Sequence, residues 1–202
     1  MTTTLSLPSW FDVAECELSL MPEVRGFMGP FGGPTEVQDL LGDRWHMRLT
    51  MPEGDFRWGS RTEALFNALR GGAQWLRLYH FAKPAPRGTA RGSMVLSGAV
   101  AQGANSLTIS GVAAGATLQA GDMVGHNGEQ LFQVYDDATA NGSGVVTVTT
   151  VNRARKAIAS GQAIVWDKPT IPFQLLDTQG VPTAFVRGRV RGQQVEFVEA
   201  WQ

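Results

Sequence analysis

Residues 74–81 are Gln74-Trp75-Leu76-Arg77-Leu78-Tyr79-His80-Phe81, a stretch in which large apolar side chains alternate with polar ones. Because successive side chains of a β-strand point to opposite faces, this alternation predicts a strand with one buried face. Residues 44–51 alternate in the same way and are followed by Pro52. We therefore expect two half-buried strands in the first part of the chain.

A helix is expected between these strands. The sequence Ser60-Arg61-Thr62-Glu63 has the form of a capping box, in which the Ser60 hydroxyl accepts from the Glu63 N–H and the Glu63 carboxylate accepts from the Ser60 N–H. Apolar residues then share one face at the helical period. Gly71 and Gly72 favour a left-handed end. The pattern predicts a short helix over about 60–70.

Composition excludes several classes of protein. The chain has 202 residues, with 24 Gly and 10 Pro, so many turns and short strands are expected. Its 43% hydrophobic and 17% charged residues argue against intrinsic disorder. The net charge of -1 gives no basic footprint for sequence-specific nucleic-acid binding.

The expected compartment follows from what the sequence lacks. It contains no run of about 18 apolar residues, and residues 1–9 lack a basic segment followed by an apolar core. We therefore expect a soluble protein with no signal peptide and no membrane partner. The single Cys16 cannot form an internal disulfide, which suits assembly in a reducing cytoplasm.

The character of the chain changes after Pro84 and Pro86. From residue 93 to about 168, Ala, Gly, Val and Thr dominate, and Gly-rich turns such as Asn127-Gly128 recur. This spacing predicts a small all-β barrel or sandwich. Its strands are expected at 94–100, 106–110, 122–125, 130–136, 144–151 and 162–166.

After Lys168-Pro169 the aromatic character of the first part returns. A strand is predicted over 170–176, and residues 184–191 and 194–201 are predicted to form a hairpin with Arg189 facing Glu196. The expected architecture is mainly β with one short helix. A β-rich domain of residues 1–92 and 169–202 would be interrupted by an inserted module, residues 93–168.

No catalytic or metal-binding constellation is predicted. His46, His80 and His126 lie in separate segments, and none has a second ligand at metal-binding spacing. Cys16 lies between two glutamates, whose charge raises a thiol pKa. Adjacent carboxylates at 136–137 would point to opposite faces of a strand. We expect no enzyme activity and no cofactor.

Residues 26–34 are Gly26-Phe27-Met28-Gly29-Pro30-Phe31-Gly32-Gly33-Pro34. No Lys-Ser/Thr pair follows these glycines, and no helix opens behind them, so a phosphate loop is not favoured. We interpret the stretch as a loop whose Phe27, Met28 and Phe31 meet either a partner or the core. These three residues are candidates for a subunit interface.

Strand alternation would place Arg187, Arg189 and Arg191 on one face. Such a face is either solvated or in contact with an acidic protein surface or passing nucleic acid. Without interleaved aromatic residues it is not suited to reading a nucleic-acid sequence. The three arginines are therefore further candidates for a subunit interface.

The six tryptophans leave a second function open, because aromatic rings can form platforms for sugars. Trp45, Trp75 and Trp201 fall within alternating strands, where core packing is more common. Carbohydrate binding for adsorption to a host surface remains an alternative.

Several fragments, in this order between about residues 35 and 176, resemble distal tail and baseplate hub proteins of long-tailed, siphovirus-like bacteriophages. The first part contributes Gly42-Asp43-Arg44-Trp45, the capped helix ending Leu69-Arg70-Gly71-Gly72, the strand at 74–81 and Pro84-Ala85-Pro86-Arg87-Gly88-Thr89. The middle part contributes Leu118-Gln119-Ala120-Gly121-Asp122-Met123-Val124-Gly125, Leu131-Phe132-Gln133-Val134 and Arg153-Ala154-Arg155-Lys156-Ala157-Ile158.

The resemblance implies a structural virion protein at the tail tip, assembled in the host cytoplasm. Its ring domain would have a tail-tube-like β-sandwich fold and form a homo-oligomer, usually a hexameric ring. The implied partners are the tail tube protein, the baseplate hub protein and fibre or receptor-binding proteins, with the inserted module projecting outward. Many relatives carry a galectin-like domain after the ring domain, whereas this chain inserts its extra module.

Overall fold

The structure is a computed structural model that describes residues 3–27 and 36–201. Over these residues the chain is mainly β with one short helix, as predicted. The helix is α1 (Phe56–Ala68), followed by a 3-10 turn at Arg70–Gly72. The strands are β1 (Thr4–Leu5), β2 (Glu15–Phe27), β3 (Glu36–Thr50), β4 (Gly54–Asp55), β5 (Trp75–Leu78), β6 (Met94–Leu96), β7 (Ser106–Ser110), β8 (Thr117–Leu118), β9 (Met123–His126), β10 (Gln130–Gln133), β11 (Ala138–Thr139), β12 (Val145–Thr149), β13 (Ala163–Val165), β14 (Ile171–Leu175), β15 (Phe185–Val186), β16 (Arg189–Val190) and β17 (Gln194–Glu199).

The first sheet has six strands in the order β1-β5-β14-β17-β3-β2. The pairing of β1 with β5 is parallel, and the other pairings are antiparallel. The buried face carries alternate residues of each strand, and Phe66 and Leu69 of the α1 region join the same core. The two strands predicted at the start of the chain are β3 and β5.

Helix α1 begins one turn before the predicted position. Its N-cap is Asp55, whose carboxylate accepts a hydrogen bond from the backbone N–H of Trp58 at 2.7 Å. The capping box predicted at Ser60 and Glu63 is therefore wrong. Aspartate caps a helix as well as serine does, and Asp55 precedes Ser60 in the chain. The predicted left-handed end is confirmed at Gly71, where φ is +59°.

The second sheet contains strands only from residues 94–165 and has the order β10-β9-β13-β6-β7-β12. An antiparallel bridge between Val134 and Thr150 pairs the ends of β10 and β12, so the sheet closes on itself as a barrel. Strand β7 has the predicted bounds, whereas β6 stops at Leu96, short of the predicted residue 100. The barrel has its own apolar core.

The predicted hairpin over 184–201 is wrong. Strands β15 and β16 pair with each other, and β16 also pairs with β4, where Arg189 lies opposite Asp55. Strand β17 instead lies between β14 and β3, and Glu196 contacts Arg48 at 2.9 Å. The predicted pairing fails because the chain turns back earlier, at Arg187 and Gly188. Both residues have positive φ, as a two-residue primed turn requires.

The segment that forms the barrel begins and ends at adjacent points. Pro84 precedes the barrel strands and Lys168 follows them, and the Lys168 N–H donates to the Pro84 carbonyl at 2.6 Å. Next to this contact the buried Asp122 carboxylate accepts from the N–H groups of Arg87 and Gly88, at 2.7 and 3.1 Å. These bonds fix the start of the barrel segment to its first turns.

A buried ion pair joins the two sheets. Arg155, after β12, donates through Nη2 to Glu199 Oε2 at the end of β17, and both side chains are buried. The same carboxylate oxygen accepts from the Trp45 N–H at 3.1 Å. The Trp45 indole N–H donates across the junction to the Leu131 carbonyl, also at 3.1 Å. The guanidinium of Arg155 lies over the Trp201 ring, 4.9 Å from its centroid.

Candidate assembly surface

The hairpin of β2 and β3 is much longer than its neighbours. Its strands have 13 and 15 residues, against a usual length of about 5–6. Near the sheet, Cys16, Leu18 and Leu20 pack against the first core. Further out, at residues 21–27 and 36–43, most of the described side chains are exposed. We call this outer part the hairpin arm.

A register shift marks the start of the hairpin arm. Met21 lies opposite Arg44, but Glu23 lies opposite Leu40, so β3 contains two more residues than β2 at this point. The shift occurs at Pro22, which has no backbone N–H to donate to the ladder. Pro22 therefore separates the packed part of the hairpin from its exposed part.

The hairpin arm exposes apolar side chains that the described chain does not cover. Val37 is 66% exposed, and the others of this group are between 36% and 54% exposed: Met21, Val24, Phe27 and Leu41. One ion pair ties the arm to the barrel, between Arg153 Nη2 and Asp39 Oδ2 at 3.0 Å. Several exposed apolar side chains on one element are typical of an interaction surface.

A second exposed apolar group lies at the start of α1. The rings of Phe56 and Phe185 are 5.3 Å apart, and both side chains are exposed, together with Val186. Gly59 allows this approach, because a Cβ there would lie 2.8 Å from both Phe185 and Val190. We call Phe56, Phe185 and Val186 the aromatic patch.

The two surfaces carry opposite charge. The segments of the hairpin arm, 21–27 and 36–43, contain four acidic residues and one arginine. The segments around the aromatic patch, 55–61 and 185–191, contain one aspartate and five arginines. The net charges are therefore -3 and +4. Surfaces of this kind attract each other over the distance of a Debye length, about 8 Å at physiological salt.

The residues that the sequence predicted for a subunit interface lie in separate parts of the structure. Phe27 is exposed on the hairpin arm, where it ends β2, so the loop predicted from Gly26 is wrong for these two residues; Met28 and Phe31 lie outside the described residues. Arg187, Arg189 and Arg191 are exposed beside the aromatic patch. Their predicted alignment on one strand face is wrong, because Arg187 occupies the turn with φ of +48°. Their role at an interface stays a prediction.

Sequence reasoning missed most of the apolar residues of both surfaces. On the hairpin arm these are Met21, Val24, Val37 and Leu41, and on the patch Phe56, Phe185 and Val186. A signal was present in each case. Pro22 interrupts an alternating run, and two adjacent apolar residues precede the Arg187-Gly188 turn, so they cannot both face one core.

The side chains considered for catalysis do not form an activated site. Cys16 Sγ lies 3.8 Å from His80 Nδ1. Burial raises the pKa of the Cys16 thiol and lowers the pKa of the His80 imidazole, so both groups are held in their neutral forms at pH 7. In the described ranges no three His, Cys, Asp or Glu side chains are grouped to hold a metal ion.

Comparison with known proteins gave no family. No protein-family model matches the chain, and no curated protein matches it significantly. Among the described residues, no helix is long and apolar enough to cross a membrane. The function is therefore inferred from the residues and surfaces of the chain itself.

Proposed function

We propose that this protein is a non-enzymatic structural subunit of a phage tail tip, forming a ring that joins the tail tube to the baseplate hub and fibres. The observation that carries the proposal is the hairpin arm, with apolar side chains exposed on an element that extends beyond its own core. The fragments between residues 35 and 176 resemble distal tail and baseplate hub proteins, and this resemblance is the reason for proposing a phage protein. The proposal includes no cofactor.

The presence of two unlike surfaces favours a ring. In a head-to-tail contact, one surface of each copy binds a different surface of the next copy, and the series closes if the rotation between copies allows it. The acidic hairpin arm and the basic aromatic patch fit such a pair. A hexamer is the symmetry that the resemblance implies.

The architecture is compatible with the ring domain that the resemblance implies. The first sheet with α1 would take the place of the tail-tube-like β-sandwich, and the barrel would project from the ring. Placed outside, the barrel would be accessible to fibre or receptor-binding proteins. Assembly in the host cytoplasm and a final place at the virion tail tip are parts of the same proposal.

The proposal is tested first by the mass of the assembled protein. Native mass spectrometry and electron microscopy of the purified chain, alone and with tube and hub proteins, are expected to give closed rings. A chain that stays monomeric at high concentration and binds neither tube nor hub protein would contradict the proposal.

A mixing experiment tests which surfaces meet. An arm variant, Val24→Asp with Val37→Asp, and a patch variant, Phe56→Ser with Phe185→Ser, should each be a folded monomer. An equimolar mixture should form a 1:1 dimer, because one intact arm and one intact patch remain. The control Tyr135→Ser changes an equally exposed aromatic residue of the barrel and should still form rings.

The outcomes of the mixing experiment separate the arm-to-patch contact from ring formation. Rings formed by the arm variant would exclude the hairpin arm from the interface. Monomers in the mixture, with rings from the unchanged protein, would show that the hairpin arm of one copy does not bind the aromatic patch of the next. Circular dichroism checks that each variant is folded.

A further inference from the structure

The hairpin arm leaves the first sheet as a ribbon of two strands, β2 and β3. A two-stranded ribbon alone is only marginally stable in water. The register shift at Pro22 also interrupts the ladder at the base of the arm, and an irregularity of this kind bends and twists the strands. The direction of the arm relative to the first sheet therefore depends on contacts outside the ribbon.

Such contacts come from one segment of the barrel, residues 153–155, which follows β12 and which we call the strap. Arg153 Nη2 lies 3.0 Å from Asp39 Oδ2, and Arg155 Nη2 donates to the Asp43 carbonyl, also at 3.0 Å. Asp39 and Asp43 both belong to β3 and are four residues apart. Two side chains of the strap thus hold two points of the arm.

The arm also touches the barrel between these two points. Leu41 Cδ1 lies 3.7 Å from the position that a Cβ on Gly103 would occupy, which is ordinary van der Waals contact. Gly103 belongs to a turn that is bonded to the strap, since its N–H donates to the Ala154 carbonyl at 2.7 Å. The base of the arm therefore follows the barrel surface from Asp39 to Asp43.

The strap itself is fixed to the barrel. Ala154 is fully buried in the barrel core, and its N–H donates to the Ala104 carbonyl at 2.8 Å. The buried Gln130 side chain binds the backbone on both sides of it. Gln130 Nε2 donates to the Arg153 carbonyl at 2.6 Å, and Gln130 Oε1 accepts from the Arg155 N–H at 3.1 Å. Because this backbone is held in place, both arginine side chains start from defined positions.

We propose that the strap sets the direction of the hairpin arm, with Arg153 and Arg155 as its positioning residues. The inference rests on the proposed function for its role in assembly, because an arm that is already oriented loses less freedom when it binds the next copy. The inserted barrel then prepares the contact between copies in addition to projecting from the ring. Arg153 is the residue to test, since Arg155 also balances the buried Glu199 and its loss would affect folding.

Distances between two spin labels, measured by double electron–electron resonance, report the direction of the arm within one copy. Gln38→Cys with Ser143→Cys joins the arm to the barrel, and Ser19→Cys with Ser143→Cys joins the first sheet to the barrel. All three side chains are exposed. The labels are placed in Cys16→Ser, and the patch variant is the background so that no neighbouring copy holds the arm. With the strap intact, both pairs should give one narrow distance.

Arg153→Gln should add a broad component to the arm-to-barrel distances and leave the sheet-to-barrel distances narrow. An exposed ion pair changes an equilibrium by up to about fivefold, so the ratio of the broad to the narrow component should rise by up to that factor. Arg153→Asp should broaden the distances further, because it places two carboxylates together. Adding Asp39→Arg to Arg153→Asp should restore the narrow component, because the pair forms again with exchanged charges.

Arg48→Gln is the matched control. It removes a similarly exposed ion pair within the first sheet and should leave both distances narrow. Thermal unfolding checks that each variant is folded. Three results would overturn the inference: broad arm-to-barrel distances with the strap intact, no more broadening by Arg153→Gln than by Arg48→Gln, or equal broadening of the sheet-to-barrel distances.

A second measurement, the protein concentration at which half of the copies are in rings, tests the role of the strap in assembly. Arg153→Gln, in a chain with an intact aromatic patch, should raise this concentration by up to about fivefold, whereas Arg48→Gln should not. Assembly at an unchanged concentration, despite broadened distances, would refute that role. If the unchanged protein forms no rings, the proposed function fails, and the distances still decide whether the strap directs the arm.

Discussion

Replacing Arg155 by methionine should destabilise the protein strongly. The change leaves the Glu199 carboxylate fully buried without its cation, retaining only the hydrogen bond from the Trp45 N–H at 3.1 Å. Removing one partner of a buried ion pair costs about 3–5 kcal/mol, because the remaining charge is uncompensated. That is a large share of the roughly 5–15 kcal/mol that stabilises a typical folded protein.

The loss should depend on pH in a defined direction. Burial raises the pKa of Glu199, whereas Arg155 opposes this effect, so the pKa rises further in Arg155→Met. The folded variant then binds a proton that the unfolded chain releases, and its stability falls as pH rises through the folded pKa. Arg155→Met should therefore regain stability between neutral pH and the ordinary carboxyl pKa of 4.5.

Urea unfolding, followed by far-UV circular dichroism and tryptophan fluorescence, measures the loss. The double variant Arg155→Met with Glu199→Gln should recover most of it, because no buried charge remains and the glutamine oxygen still accepts from Trp45. The control Arg48→Met removes an exposed pair with Glu196 and should lose far less stability. A loss below about 1 kcal/mol for Arg155→Met, or a double variant no more stable than the single one, would refute the assigned role of the pair.

Three further predictions concern single residues. Asp55→Ala should lower the free energy of unfolding by about 0.5–2 kcal/mol through loss of the N-cap, whereas Ser60→Ala should have little effect; equal losses in urea unfolding would contradict the observed start of α1. Gly88→Ala should cost about 1–3 kcal/mol, since a Cβ would collide with the Thr117 carbonyl oxygen, and an unchanged midpoint of thermal unfolding would contradict this packing. Cys16 should react with iodoacetamide at pH 7.5 more slowly than free cysteine, because burial raises its thiol pKa, and urea should remove the difference; equal rates in the folded protein would contradict its burial.

Local patterns predicted several strands that bury one face, but they missed β2, whose Cys16, Leu18 and Leu20 pack against the first core. Residues 106–110 alternate and form β7 with the predicted bounds, and Gly71 is left-handed as expected, although α1 itself ends at Ala68. The same reasoning failed at the start of the helix because two residues, Asp55 and Ser60, can both act as caps. Sequence alone does not show which cap the tertiary packing selects.

Long-range pairing was beyond local reasoning. The alternation of residues 194–199 correctly predicted a strand, but nothing in it identifies β3 and β14 as its neighbours. The partners Arg155 and Glu199 are 44 residues apart, and the sequence around each one gives no sign that the side chain is buried and not at the surface. The hairpin arm was missed for a related reason, because exposed Val24 and Val37 are ordinary residues for a buried strand.

The hydrogen bond between Lys168 and Pro84 has a consequence for the evolution of this chain. Because the ends of the barrel segment meet at one backbone contact, a recombination event could exchange residues 85–167 for another unit with neighbouring termini without stretching the first sheet. The exchange would have to replace Met123 and Leu131, which pack into the first core, and Arg155, which forms the buried ion pair with Glu199. Variation among descendants should therefore be greatest in the barrel and least at these three residues.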